Sequence, residues 1–224
     1  MFFRVLLDFT ANPALCAWQG FGYNTKEPVA QDKMSTPILT TKLHTPSLRP
    51  NLVPRPHLIQ KLDEGLNLGH RLTLVSAPAG FGKTTLLSEW AHASDRLTAW
   101  LSLDEGDNDP VRFVTYLVSA LQHANRGIGT SIENVLQALQ LSPTTSASAR
   151  VTTLVNTPIT SLLNDISTTA AETTLAIDDY HLIESAVVHQ ALRFLLEHQP
   201  PHMHIVIATR EDPPLPLPRL RARN

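Results

Sequence analysis

The chain has 224 residues, a formal net charge of −2 and one cysteine, Cys16. A chain of this length can bury a substantial core and can hold one or two domains. The near-neutral charge excludes the strongly basic surface that nucleic-acid-binding and membrane-surface proteins use. A lone cysteine excludes an intrachain disulfide, and no apolar run approaches the ~20 residues of a membrane span. We therefore expect a cytoplasmic protein with no membrane partner.

The first part of the chain divides into an irregular segment and a proline-rich lead-in. Residues 1–36 show no period and are expected to be a poorly ordered N-terminal extension, with the folded domain at 37–224. Residues 37–56 carry prolines at a density that favours extended chain. A helix is predicted from Pro56, which suits a first helical position, to a stop near Gly69.

A strand-like run, Leu72–Ser76, then breaks at a turn and enters a helical pattern. The stretch from Ala77 to Thr85 reads APAGFGKTT and fits the phosphate-binding loop pattern G-x-x-x-x-G-K-[ST], with Ala77 at the first glycine position. Backbone N–H groups of such a loop form an anion site, and the following helix adds the positive end of its dipole. The residues predicted to hold nucleotide phosphates are Ala77, Gly80, Gly82, Lys83, Thr84 and Thr85. The Thr84 hydroxyl is also a candidate Mg²⁺ ligand.

A second strand is predicted at Leu97–Leu103, followed by an acidic turn, Asp104–Pro110, and a helix capped by Asp109. Three aspartates in the turn raise the alternative of a calcium loop. Such a loop needs a glutamate at a set distance further on, and the helix has none there. A solvated turn with a helix cap is the favoured interpretation.

The middle of the chain is rich in Ser, Thr and Gly. Residues 126–150 are predicted to be a surface connection around a short helix, Ile132–Leu141. Residues 151–167 carry a helical pattern that Pro158 should kink or split.

Two adjacent carboxylates end the next strand, which runs from Thr173 to Ile177. Buried strands rarely end in paired acids without a use for the charge. Beside a phosphate loop, Asp178 is predicted to hold Mg²⁺ and Asp179 to orient or deprotonate an attacking water. His181 follows shortly and could approach the site, but a surface or packing histidine is the favoured interpretation.

A further strand, at 202–210, ends in Thr209 and Arg210. Arg210 is the candidate sensor of the terminal phosphate, with Thr209 second, and a solvent-exposed ion pair of Arg210 remains the alternative. His202 and His204 are a weak metal site because no other ligand type is near. The tail is predicted to be extended over residues 213–218.

Four stretches, taken in order, resemble one family. They read NLVPRP at 51–56, the phosphate loop, WLSLD with DPVRF at 100–113, and IDDYHLI at 177–183. Together they resemble the nucleotide-binding domain of MalT-like, LuxR-family ATP-dependent transcriptional activators, in the STAND class of P-loop NTPases. The resemblance runs from about residue 37 to the end.

The resemblance implies an α/β fold: a P-loop NTPase with three αβα layers, a parallel sheet and bound ATP or ADP with Mg²⁺. It implies that Val53 and Arg55 lie near adenine and that Asp179 and Arg210 serve slow ATP hydrolysis. In such proteins ATP favours a self-associating form, and DNA is bound by a C-terminal domain that these residues lack.

The resemblance also implies that the domain is incomplete at its C-terminus. The family's next strand falls beyond residue 224, so about four core strands are expected, with Leu72–Ser76 at an exposed edge. Two alternatives remain open: a metabolic P-loop ATPase or kinase, and an inactive gene fragment. Dispersed arginines between the second and third strands do not favour a kinase lid.

Overall fold

The computed structural model describes residues 2–6, 38–48, 50, 53–129, 155–169 and 171–222, with the backbone alone for 2–6 and 221–222. Five strands form one parallel sheet in the order β1-β2-β5-β4-β3. The strands are β1 (Phe2–Leu6), β2 (Leu72–Ser76), β3 (Leu97–Ser102), β4 (Thr173–Asp178) and β5 (Met203–Thr209).

Six α-helices lie in the described residues: α1 (Pro56–Asn67), α2 (Lys83–Ala93), α3 (Pro110–Ala124), α4 (Thr157–Thr168), α5 (Ala186–His198) and α6 (Leu217–Ala222). Three short 3₁₀ turns occur at Thr40–Leu43, Glu105–Asn108 and Tyr180–Leu182. Among these described helices, none has the length and apolar character needed to cross a bilayer.

Helices cover both faces of the sheet because successive strand residues point to opposite sides. Val75 and Val206 pack with Trp90 and the apolar faces of α1 and α2. Leu74 and Ile207 point the other way, into a larger core formed with α3, α4 and α5. The expected three-layer αβα arrangement of a parallel α/β fold is therefore confirmed.

The prediction that β2 lies at an open edge is wrong. β1 pairs with β2 in parallel register, Phe2 opposite Leu72 and Leu6 opposite Ser76. This pairing gives the β2 backbone hydrogen-bond partners on both sides, as a buried strand requires. Residues 2–6 thus join the sheet, although they were expected to be part of a poorly ordered extension; residues 7–37 lie outside the described part.

The lead-in is fixed against α3 and is not extended throughout. It contains the 3₁₀ turn Thr40–Leu43, whose last residue is buried in the core. The backbone N–H of Leu39 donates to the Tyr116 hydroxyl at 3.0 Å. The buried Lys42 ammonium lies 4.3 Å from the centre of the Tyr116 ring.

The remaining predictions have mixed outcomes. The helix predicted at Ile132–Leu141 lies outside the described residues. Pro158 sits in the first turn of α4, where a proline is tolerated because its missing N–H has no helical partner. The tail becomes helical at Leu217, earlier than expected, and Leu217 and Leu220 are buried.

Candidate functional site

The phosphate loop connects β2 to α2 at the carboxyl edge of the sheet, where parallel α/β folds bind ligands. Gly80 and Gly82 have φ of 83° and 75°, a left-handed backbone that glycine adopts without strain. Gly82 is the N-cap residue of α2. Ala77 has no positive φ, since Asp179 is the one non-glycine residue with positive φ in the described part. Alanine at the first glycine position therefore fits the loop.

Lys83, the first residue of α2, turns back over the loop. Its side chain is buried, and its ammonium donates hydrogen bonds to the carbonyl oxygens of Ala77 at 2.8 Å and Pro78 at 3.1 Å. Burial lowers the pKa of Lys83, helped by the nearby Arg210 charge and opposed by the strand-end carboxylates. The ammonium is thus held on the loop, in reach of both acids.

Asp178 ends β4 beside the first turn of α2. Its carboxylate is buried, lies beside the Thr84 hydroxyl, and accepts a hydrogen bond at 2.9 Å from the Asp179 backbone N–H. Burial is the largest cause that raises the pKa of Asp178, and the neighbouring Thr84 hydroxyl opposes that rise. Thr85 is half-buried in the same helical turn. The structure therefore brings together the two oxygen ligands that the sequence predicts for Mg²⁺.

Asp179 leaves the strand with a left-handed φ of 56°, which is uncommon for a residue with a side chain. Its half-exposed carboxylate lies at the edge, and its charge acts on Lys83. Such strained residues concentrate at functional sites. The position suits a group that contacts a ligand from the solvent side.

The two sensor candidates at the end of β5 differ in their exposure. Arg210 is exposed at the edge, and its charge acts on Lys83 and on His181. Thr209 is fully buried, and its hydroxyl donates to the Glu211 carbonyl at 2.9 Å. Arg210 is therefore the better placed of the two candidates.

Arg55 contacts the phosphate loop directly. One terminal nitrogen donates to the Phe81 carbonyl at 2.8 Å, and the guanidinium lies over the α-carbon of Gly82. Val53, two residues earlier, has 74 % of its surface exposed, which is unusual for a valine. Of the two residues predicted for the adenine side, Arg55 thus contacts the loop, and Val53 is exposed two residues before it.

The acidic turn after β3 is not the solvated turn that was expected. Asp107 is fully buried and pairs with Lys42 and, at 3.1 Å, with the Arg112 guanidinium. Asp104 and Asp109 accept backbone N–H groups as helix caps, from Gly106 and Arg112 at 2.8 Å. The carboxylates are engaged in fixing the lead-in to α3, and the described residues contain no group of three or more His, Cys, Asp or Glu side chains that could hold a metal ion.

His181, for which the sequence favoured a surface or packing role, is packed beside the strand-end acids. Its side chain is only 8 % exposed, so it is not a surface histidine, and its ring reaches the charges of Lys83, Asp179 and Arg210. The IDDYHLI stretch contained the signal, but burial at the edge depends on the turn after Asp179. The weak metal site considered for His202 and His204 gains no support, since the His202 ring bonds the Ile166 carbonyl and the His204 ring bonds the His70 carbonyl.

The residues present fit a magnesium nucleotide. A Cβ at Gly82 would come within 3.2 Å of the Arg55 guanidinium. Arg55 can therefore lie this close to the loop only because residue 82 is glycine. A hydroxyl and a carboxylate, the oxygen ligands that Mg²⁺ prefers, already meet at Thr84 and Asp178. Lys83 supplies the positive charge that phosphates require.

Comparison with known proteins finds relatives by sequence and a neighbour by structure. Regulators described as HTH-type transcriptional regulator MalT are 39 % identical in Cronobacter sakazakii over 186 residues and 39 % in Serratia proteamaculans over 187 residues. These matches cover 83 % and 84 % of this chain but 19 % of each relative, so the chain spans about a fifth of their length. A crystal structure of Cdc6p from Pyrobaculum aerophilum has a TM-score of 0.48 at 13 % identity, covering 83 % of this chain and 47 % of that chain.

A family model is matched as well, and it covers most of the chain. The model described as AAA ATPase domain matches residues 52–207, which include the phosphate loop, the strand-end acids and nearly all of β5. The chain therefore belongs to the AAA ATPase domain family and carries a nucleotide-binding domain of the P-loop type.

Proposed function

We propose that this chain is the ATP-binding switch domain of a LuxR/MalT-like transcriptional regulator, which binds MgATP and hydrolyses it slowly. The observation that carries the proposal is the meeting of Lys83, Thr84 and Asp178 at one sheet edge. Phosphate contacts and metal ligands are then supplied by adjacent elements, as nucleotide binding requires.

Each side chain has a role in this proposal. Lys83 exchanges its loop carbonyls for the β- and γ-phosphates, while Thr84 and Asp178 hold Mg²⁺. The metal, when bound, neutralises part of the phosphate charge. Asp179 orients the attacking water from the solvent side, and Arg210 contacts the terminal phosphate. Arg55 and Val53 cover the base side of the nucleotide.

The regulatory part of the proposal rests on the likeness to the MalT relatives. The 39 % identity spans most of this chain but a fifth of theirs, so DNA binding is assigned to a part of a longer protein outside these residues. Within this domain, the nucleotide state would control self-association. A metabolic kinase is less well supported, because Arg112, which lies between β3 and β4 where a lid would supply arginines, pairs with Asp104 and Asp107.

Binding of MgATP tests the proposal. Calorimetric titration of the full chain should give a measurable dissociation constant, and Lys83→Ala should weaken it by about tenfold or more, which corresponds to ~1.4 kcal/mol. Lys61→Ala, at an exposed position of α1, is the matched control and should bind as the native chain does. Equal affinity of Lys83→Ala and the native chain would contradict the site.

A further inference from the structure

His181 is held at the site by the turn that follows the strand-end acids. The left-handed Asp179 reverses the chain into the 3₁₀ turn Tyr180–Leu182. Nδ1 of His181 comes to 3.9 Å from an Asp179 carboxylate oxygen, and 8 % of the side chain is exposed. The imidazole is therefore packed into the carboxyl edge beside a predicted water-orienting group.

Both ring nitrogens of His181 are buried without a hydrogen-bond partner among the described residues. Leaving a buried polar atom unpaired costs about 1–3 kcal/mol, and native structures keep few such atoms without a reason. Two other histidines of the described residues differ from His181 because their rings have hydrogen-bond partners. His204 bonds Thr73 and the His70 carbonyl, and His189 bonds the Tyr180 hydroxyl at 2.7 Å.

Two cations and two carboxylates act on the ring. Burial is the largest cause that lowers the pKa of His181; Arg210 and Lys83 lower it further, while Asp179 and Glu211 oppose them. A neutral imidazole keeps one N–H donor and one acceptor nitrogen. Lys83 and Arg210 share this edge with the ring, and a phosphate held by these cations would offer oxygens to the available donor.

The sheet order indicates which phosphate the ring would meet. The loop follows β2, and β5 separates β2 from β4, which carries the His181 turn. The loop and the start of α2 hold the inner phosphates in sites of this kind. A group supplied from the end of β4 is therefore positioned for the far end of the polyphosphate chain.

We propose that His181 binds the terminal phosphate of a nucleoside triphosphate by donating a ring N–H to one of its oxygens. This inference rests on the proposed nucleotide-binding function. It makes His181 a residue that distinguishes ATP from ADP, because the diphosphate leaves the ring nitrogen unpaired as it is in this structure.

The test compares the affinities for MgATP and MgADP of the native full chain and His181 variants. His181→Phe keeps a flat ring without a donor and should lower the ATP-over-ADP preference about tenfold, with MgADP affinity within about twofold of native. His181→Gln keeps an N–H donor and should retain most of the preference. His198→Phe, at an exposed position of α5, is the control and should leave both affinities unchanged.

The outcomes separate this inference from the function on which it rests. If the native chain binds nucleotide and His181→Phe retains the native ATP-to-ADP ratio, the inference is wrong and the proposed function stands. If the native chain binds neither nucleotide, both fail. His181→Leu provides a second donor-free variant, and an unfolding midpoint near native shows that either variant is folded.

Discussion

Two glycines of the phosphate loop share a backbone conformation and differ in their surroundings. At Gly80, with φ of 83°, an added Cβ meets nothing within 4 Å. At Gly82, with φ of 75°, it would lie 3.2 Å from both terminal nitrogens of Arg55. Alanine at either position costs about 1–2 kcal/mol for the left-handed backbone. Alanine at Gly82 must also displace a guanidinium that donates to the Phe81 carbonyl at 2.8 Å.

The expected magnitudes follow from these contacts. Gly80→Ala should lower the free energy of unfolding by about 1–2 kcal/mol, the backbone cost alone. Gly82→Ala should lower it by about 2–3 kcal/mol, since a hydrogen bond worth roughly 1 kcal/mol is lost as well. Arg55→Ala removes the guanidinium that Gly82→Ala would displace, so the effects of these two substitutions on stability should differ from additivity by about 1 kcal/mol. The effects of Arg55→Ala and Gly80→Ala should add.

Urea unfolding of the native chain, the three single variants and the two double variants measures these energies. Circular dichroism follows the transition, and equal slopes against urea show that compactness is unchanged. If Gly80→Ala and Gly82→Ala lose the same stability, and both combine additively with Arg55→Ala, the contact of Arg55 with the loop does not contribute as the structure indicates.

Two further predictions concern buried titratable side chains. Burial lowers the pKa of His204 to about 4 from 6.5, so the unfolded chain takes up the proton first as pH falls. The free energy of unfolding is therefore unaffected by His204 above pH 6.5 and falls by about 3 kcal/mol towards pH 4. His204→Gln should remove this fall from the pH profile of urea unfolding. An unchanged profile in the variant would refute this cause. Lys42→Met removes a buried partner of Asp107 and should cost about 3 kcal/mol, since Arg112 still pairs with that carboxylate. Lys61→Met is exposed and should cost less than about 0.5 kcal/mol; similar losses in the two lysine variants would contradict the buried pair.

Local chemistry made the loop predictable from the sequence. The strand Leu72–Ser76 has the predicted bounds, and glycines stand at the two positive-φ positions of the loop. The helix from Pro56 also begins where a proline is tolerated and ends before Gly69, whose φ is 72°. In these places the residues that specify the geometry are neighbours in the chain, so pattern and spacing are sufficient.

Long-range pairing was not predictable in this way. β1 pairs with a strand at the far end of the lead-in, and no local pattern in residues 2–6 indicates that partner. Lys42 and Asp107 are 65 positions apart, so the buried ion pair does not show in the composition of the acidic turn. His181 is buried because Asp179 adopts a left-handed φ, which its residue type does not require. Each of these features depends on how distant elements pack.

The dependence of ATP affinity on Mg²⁺ tests the central claim most directly. The claim is that Thr84 and Asp178, which are neighbours at the carboxyl edge, form with Lys83 a site for a magnesium nucleotide. The account predicts that the full chain binds ATP at least about tenfold more weakly when EDTA replaces Mg²⁺. Asp178→Asn should lose most of that difference. An ATP affinity that is the same with Mg²⁺ and with EDTA would contradict the account.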